Sequence, residues 1–201
     1  MKKTMLAAVA AALFATTVLA QEWAVPGTGV SFPVKKDGMT LLGGGLRVKK
    51  ILFTFKAYTI GFYVSDEALA GPLAAYKGKT TSPAFYNELQ TGDFKKEVVL
   101  RFMRNLSQSR IQEAMRESLA GADPKILDQF ISYFPQVAEG QTCELRYLPG
   151  GTLESVMAGQ TKAPIKDKKF ADQLFGLYVG PAPIQADIKA GVVARAPEVL
   201  K

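Results

Sequence analysis

The stretch from Met39 to Val64 constrains the fold of this chain more than any other. Between Ile51 and Val64 it is dense in β-branched and aromatic residues, among them Phe53, Phe55, Tyr58, Ile60, Phe62 and Tyr63. That is the composition of a long strand pair. Large apolar groups occupy both parities, so much of the sheet must be covered on both faces. Within the stretch stands the triplet Gly43-Gly44-Gly45. It lacks the GxxxxGK[ST] spacing of a phosphate loop and no helix follows it. It reads as a sharp turn or as a close approach of the backbone to another part of the chain.

The remaining pattern adds helices to that sheet. Gln21 to Asp37, with Pro26, Gly27, Gly29 and Pro33, reads as an irregular lead-in with a short strand. Asp66–Tyr76 predicts a helix interrupted at Gly71-Pro72, and Ser82–Leu89 a second short one. Lys96–Arg104 predicts a strand, with Val98, Leu100 and Phe102 on one face. Ser107–Leu119 predicts an amphipathic helix with Ser109 and Gln112 as a capping box. Ile111, Ala114, Met115, Ser118 and Leu119 form its apolar face. Asp123-Pro124 starts another helix, with Asp at the N-cap and Pro at the first helical position. Thr142–Leu148 and Thr152–Met157 predict a hairpin that places Cys143, Leu145 and Tyr147 on one buried face. Helices follow over Asp167–Tyr178 and from Gln185 to about Ala194. The order is that of an α+β domain with a mainly antiparallel sheet and layered helices.

Composition excludes several chemistries. The 201 residues include no His and one Cys, Cys143. That removes His-based nucleophile activation, His-ligated metals, an internal disulfide and a thiolate cluster. No metal or cofactor is implied. Any chemistry must rest on Arg, Lys, Tyr, hydroxyls, carboxylates or backbone groups.

Residues 1–20 read as a secretory signal peptide. Lys2 and Lys3 form a basic start, Met5–Leu19 is an uncharged apolar run, and Val18-Leu19-Ala20 is a small-residue cleavage site. Residues 21–201 are then one domain, exported to the periplasm or secreted, with no transmembrane segment after cleavage. Loss of both lysines lowers the net charge from +7 to +5. The cations fall in isolated pairs such as Lys35-Lys36 and Lys95-Lys96, which read as solvated faces. No stripe suited to nucleic acid is present.

Arg47 is the leading candidate for function. It follows the glycines in a short strand, where a guanidinium needs a partner. It reads either as one half of an internal salt bridge or as a receptor for an anion, which its planar fork suits better than a lysine would. Tyr58 could add a hydroxyl donor. The polar face of the Ser107–Leu119 helix carries Arg110, Glu113, Arg116 and Glu117, which read as solvated.

Together these blocks resemble the chalcone isomerase family. The resemblance rests on Gly43-Gly44-Gly45-Leu46-Arg47, on Lys56 to Val64, on the helices at Ser107–Leu119 and Asp123–Phe134, and on Phe175 to Gly180 followed by Ile184 to Lys189. It implies an open-faced β-sandwich, a large antiparallel sheet carrying a layer of helices with a ligand cleft between them. In the family's plant enzymes a strand Arg, a strand Thr, a helix Tyr and Asn, and a late Thr or Ser line that cleft. In its fatty-acid-binding members the same Arg and a strand Tyr hold a carboxylate.

Arg47 matches the family Arg, and Tyr58 stands at the strand Thr, which is the pattern of the fatty-acid binders. The helix Tyr falls on Arg110 or Ile111, the Asn on Glu117 and the late hydroxyl on Leu177, beside Tyr178. The resemblance therefore implies a non-catalytic binder of a fatty acid or similar amphipathic carboxylate. Arg47 and Tyr58 would hold the head group, Met115, Leu177 and Tyr178 would line the tail, and Arg110 and Glu117 would be polar residues of the cleft. Two alternatives stand beside it. One is an isomerase or intramolecular lyase stabilising an enolate with Arg47, aided by Tyr58. The other is an envelope structural or interaction protein whose cleft is filled, with Arg47 paired to Glu117 or another acid.

Overall fold

A computed structural model describes residues 21–50 and 54–201. Residues 1–20, on which the signal peptide falls, and residues 51–53 lie outside it. The chain runs through strands β1 (Glu22–Ala24), β2 (Ser31–Pro33), β3 (Lys35–Lys36), β4 (Met39–Lys50) and β5 (Thr54–Ser65). Helix α1 (Asp66–Ala70), a 3-10 turn (Pro72–Tyr76) and α2 (Pro83–Thr91) lead to β6 (Lys96–Phe102). Helices α3 (Gln108–Ser118) and α4 (Pro124–Ser132) follow. Then come β7 (Thr142–Leu148), β8 (Thr152–Met157), β9 (Gln160–Thr161) and β10 (Ile165–Lys166). Helices α5 (Lys168–Val179), α6 (Ala186–Gly191) and α7 (Ala196–Val199) close the chain.

Eight of these strands make one antiparallel sheet, in the order β10-β8-β7-β6-β5-β4-β3 with β9 added to β8. One face carries Ile60, Phe62, Val98, Leu100, Leu145 and Tyr147 and is buried under the helices. The other carries Met39, Leu41, Tyr63 and Val99 in a smaller core with Val25 and Phe32. The expected α+β arrangement of a large antiparallel sheet under a helical layer is what the chain forms.

The glycine triplet lies in the middle of β4, so the close-approach reading holds and the turn reading does not. Gly43 adopts φ +152° at a bulge between Leu41 and Gly43. A Cβ there would collide with the Gly191 carbonyl, and one on Gly45 would sit 3.2 Å from Ile188 Cα. Helix α6 thus rests directly on the strand backbone. Arg195 secures it from beyond, its backbone N–H donating to Leu42 O at 2.7 Å.

Several local expectations are corrected. The lead-in forms a small β1–β2 pair as well as β3. The cap of α3 is Ser107, without a side-chain capping bond, because Gln112 turns away to donate to Ile131 O at 3.0 Å. The last helix ends at Gly191, short of Ala194, and a separate short helix, α7, follows it. The lysine pairs are not simply solvated. Lys36 meets Glu97 at 2.5 Å and Glu144 at 2.7 Å, and Arg146 Nε meets Glu97 at 2.6 Å. Two cations therefore neutralise a carboxylate that is wholly buried. Lys96 is also fully buried. Its ammonium donates to the carbonyls of Gln90 (2.7 Å) and Gly92 (3.0 Å), capping α2, and stands 4.9–5.2 Å from the ring centroids of Tyr147, Phe94 and Phe175. Burial pulls its pKa down to about 7, with Asp172 opposing and Lys168 assisting.

Two outcomes follow from this packing. Gly43→Ala will destabilise the protein by about 3 kcal/mol, since it combines a disfavoured φ with a backbone collision; urea denaturation measures it. Between pH 7 and 10 the unfolded chain holds a proton on Lys96 that the folded chain releases. Stability therefore rises with pH across that window. Denaturation midpoints followed from pH 7 to 10 will climb, and Lys96→Met will flatten the climb.

Candidate functional site

A cavity of about 400 Å³ opens between the sheet and α3. Its floor is apolar, built from Leu100, Phe102, Ala57 and Phe55 on the sheet and from Leu106, Ile111 and Met115 at α3. Arg47, Lys49 and Arg110 border it together with Glu113, Glu117, Ser118 and Ile184.

Arg47 is held by the chain segment that enters α6. Its Nη1 donates to Ile184 O at 2.9 Å and to Gln185 Oε1 at 3.3 Å. The same Gln185 oxygen accepts from Val48 N–H at 3.0 Å, and Gln185 Nε2 donates to Leu46 O at 3.0 Å. One glutamine thus takes the place of a ladder partner along the edge of β4 and braces the guanidinium. Among the described residues no carboxylate stands within ion-pair distance of Arg47, and no acceptor engages its Nε or Nη2. Among the described residues the mark of the filled-cleft alternative, Arg47 paired to an acid with no cavity beside it, is not present.

Tyr58 is the cross-strand partner of Arg47. A second bulge follows at once, between Arg47 and Val48. It brings Phe55, Ala57 and Tyr58 all to the cavity, where strict alternation would have turned some of them away. Tyr58 packs edge-on against Phe102, with centroids 6.3 Å apart. It is 7% exposed, and its hydroxyl is buried without a hydrogen-bond partner. Tyr178 lies close behind it, also fully buried; neither hydroxyl makes a hydrogen bond of good geometry, but beyond the effect of burial each phenol acts on the other, Tyr178 lowering the Tyr58 pKa and Tyr58 raising that of Tyr178. Burial pushes the Tyr58 pKa up to about 12 against the pull of the Arg47 charge, and drives Tyr178 well above the usual phenol value. Both phenols are therefore neutral donors near pH 7. Tyr58 and the free edge of Arg47 together suit a compact anion that can accept two hydrogen bonds.

Of the residues singled out from the sequence, the structure brings Arg47, Tyr58, Met115, Arg110 and Glu117 to one cavity. Leu177 and Tyr178 do not reach its wall; they are buried behind it, with Leu177 O accepting from Ile184 N–H at 2.7 Å. The α3 polar face divides. Arg116 pairs with Asp128 at 2.9 Å, while Arg110, Glu113 and Glu117 border the cavity. Sequence reasoning missed Gln185 and Lys49 as site residues. Gln185 was visible only as part of the Ile184–Lys189 block, and nothing local marks a glutamine that acts across the sheet edge. Among the described residues no cluster of His, Cys, Asp or Glu could hold a metal ion. No helix among them is long and apolar enough to cross a membrane.

Comparison with known proteins agrees with this architecture. The chalcone isomerase-like family profile matches residues 23–193. Chalcone isomerase-like protein 1 of Humulus lupulus is 28% identical over 77% of this chain and 81% of its own. Chalcone–flavanone isomerase 1 of Fragaria ananassa is 25% identical over 86% of both. The crystal structure of a fatty-acid binding protein from Arabidopsis thaliana superposes with a TM-score of 0.77 at 22% identity, covering 90% of this chain and 99% of that one.

The orphan hydroxyl of Tyr58 gives a test that needs no ligand. A buried, unpartnered hydroxyl costs about 1–3 kcal/mol. Tyr58→Phe will therefore leave the unliganded protein equally stable or more stable in chemical denaturation. A phenol serving only the packing of the core through a hydrogen bond would lose stability on the same change.

Proposed function

Since the chain belongs to the chalcone isomerase-like family, we propose that it uses the family cleft to bind a fatty acid or similar amphipathic carboxylate without transforming it. The observation that carries this reading is the pair Arg47 and Tyr58. A guanidinium with free donors and a neutral phenol are cross-strand neighbours, and both residues line an apolar cavity. A carboxylate satisfies both at once, through charge-assisted bonds from Arg47 and a hydroxyl bond from Tyr58. An acyl chain then covers Leu100, Phe102, Ile111 and Met115, gaining about 0.8 kcal/mol per buried methylene. A cavity of about 400 Å³ lies within the range of sites that enclose one small ligand.

The fold neighbour named as a fatty-acid binding protein supports this reading. So does the tyrosine on the strand. The isomerases among the relatives point the other way. Their reaction, however, calls for donors that the resemblance places on Arg110 or Ile111, Glu117 and Leu177, and none of these is a tyrosine, asparagine, threonine or serine. Residues 1–20 support export, and we place the protein in the periplasm or outside the cell.

Native mass spectrometry of the protein purified from an exporting host, followed by solvent extraction, is the direct test. The expected result is a co-purified acidic lipid that Arg47→Ala releases. In titrations with dodecanoic acid, Arg47→Ala will raise Kd at least tenfold and Tyr58→Phe by about tenfold or more, the net worth of one hydrogen bond to a charged group being about 1.5–3 kcal/mol. The methyl ester of the same acid will bind as weakly to the unaltered protein as the acid does to Arg47→Ala. A protein that binds neither acid nor ester overturns the reading.

A further inference from the structure

We propose that the end of the molecule where the cleft opens is a docking face for an anionic lipid bilayer, from which the ligand enters. The use assigned to this face rests on the reading of the cleft as an acyl-chain site; the face itself does not.

The geometry begins with unequal strands. The β5–β6 ladder ends at Tyr58↔Phe102, and the last backbone bond on that side runs from Met103 N–H to Ala57 O at 3.0 Å. The β4–β5 ladder goes on through Val48↔Lys56, Lys49↔Phe55 and Lys50↔Thr54. A two-stranded arm therefore extends past β6 beside the cavity. It carries three lysines. Lys49 borders the cavity, Lys50 and Lys56 are exposed, and the Lys56 ammonium donates to Gly27 O at 2.7 Å. Phe55 on the same arm faces the cavity, and the Arg104 guanidinium stands 4.5 Å from its ring centroid. Arg110 borders the cavity from α3.

Among the described residues none of these five cations has an ion-pair partner. The carboxylates that border the cavity are Glu113 and Glu117 on α3. Those two are outnumbered by the five cations even before Arg47 is counted. Lys49, Arg104 and Arg110 stand about the apolar opening and Lys50 and Lys56 on the other face of the arm that flanks it, so that the arm seated on a surface with phosphates outside and acyl chains behind would set cations on both of its sides. Each Lys or Arg held near such a surface strengthens binding roughly fivefold. A nucleic acid would engage the cations and leave the opening unused.

The test is co-sedimentation with vesicles of phosphatidylcholine containing about one-third phosphatidylglycerol, against vesicles of phosphatidylcholine alone. The protein is expected to sediment with the anionic vesicles only, and to be released by salt as the Debye length shortens. Lys50→Gln/Lys56→Gln will lower the partition coefficient roughly 25-fold. Lys77→Gln/Lys79→Gln, with the same change in net charge at exposed positions beyond the other end of β5, will retain it. Equal binding to both vesicle types, no binding, or equal losses in the two doubles would overturn the docking face. Dodecanoic acid binding in water is measured on the same proteins. If it survives in Lys50→Gln/Lys56→Gln while vesicle binding falls, both readings stand. If the unaltered protein docks but binds no dodecanoic acid, the cleft reading fails and the docking face remains.

Discussion

The contact on which the site depends is between two backbones. Helix α6 lies against Gly43 and Gly45 with no side chain between, and Gly191 in turn lies against the Gly44 carbonyl. Any larger residue on this face of β4 would lift the helix away. Because α6 is seated there, the residues leading into it arrive at the level of Arg47, two residues beyond the triplet. Ile184 O and Gln185 Oε1 then accept from the guanidinium, and Gln185 closes the adjoining edge of β4. The orientation of the one cation that matters most is thus fixed by residues about 140 positions away in sequence. Three glycines that carry no chemistry make that fixing possible.

The two faces of the sheet treat charge in opposite ways. On the face away from the helices, Glu97 is wholly buried and is met by both Lys36 and Arg146, so the buried carboxylate is fully compensated. A buried charge without such partners would be strongly destabilising. On the helix face, Arg47 is given two neutral acceptors and no acid, and its free edge borders a cavity. The buried Lys96 shows a third solution: its Nζ donates to helix carbonyls among aromatic faces, and burial lowers its pKa to about 7. The same fold that neutralises Glu97 so completely gives Arg47 no carboxylate, only two neutral acceptors.

Much of this was legible in the sequence, and the parts that were not have identifiable causes. The strand pair, the hairpin with Cys143, Leu145 and Tyr147 buried, and the Asp123 cap were carried by short-range patterns of period and capping. The position of Arg47 in a strand beside Tyr58 was readable too. That Tyr58 faces the same cavity as Phe55 and Ala57 was not, because a bulge shifts the alternation and leaves no mark in the pattern. Leu177 and Tyr178 sit one layer too deep, since α5 packs onto the sheet with its apolar face inward and α3 covers the opening. Lys96 read as a surface residue because its partners are backbone carbonyls and three aromatic rings, brought together by α2, β7 and α5. The α3 polar face read as solvated because sequence spacing gives the face of a helix and not what that face overlooks.

What separates a binder from an enzyme on this frame is the set of groups facing Arg47. A carboxylate carries its full charge before it is bound, so a fixed guanidinium and a neutral phenol hold it with no proton transfer. A reaction through an enolate needs more, because only interactions stronger in the transition state than in the substrate raise the rate. Donors must be aimed at the oxygen where charge develops. Across the cavity α3 offers Ile111 and Met115 below and Arg110, Glu113 and Glu117 at the rim. The apolar pair can cover a chain but orient nothing. The carboxylates would raise the energy of a charge forming near them, while leaving a head group held at Arg47 unaffected so long as it stays on the sheet side. Tyr58, its pKa raised to about 12 by burial, remains protonated and serves as a donor rather than a base. On the proposed reading, these residues recognise an anion that arrives already formed.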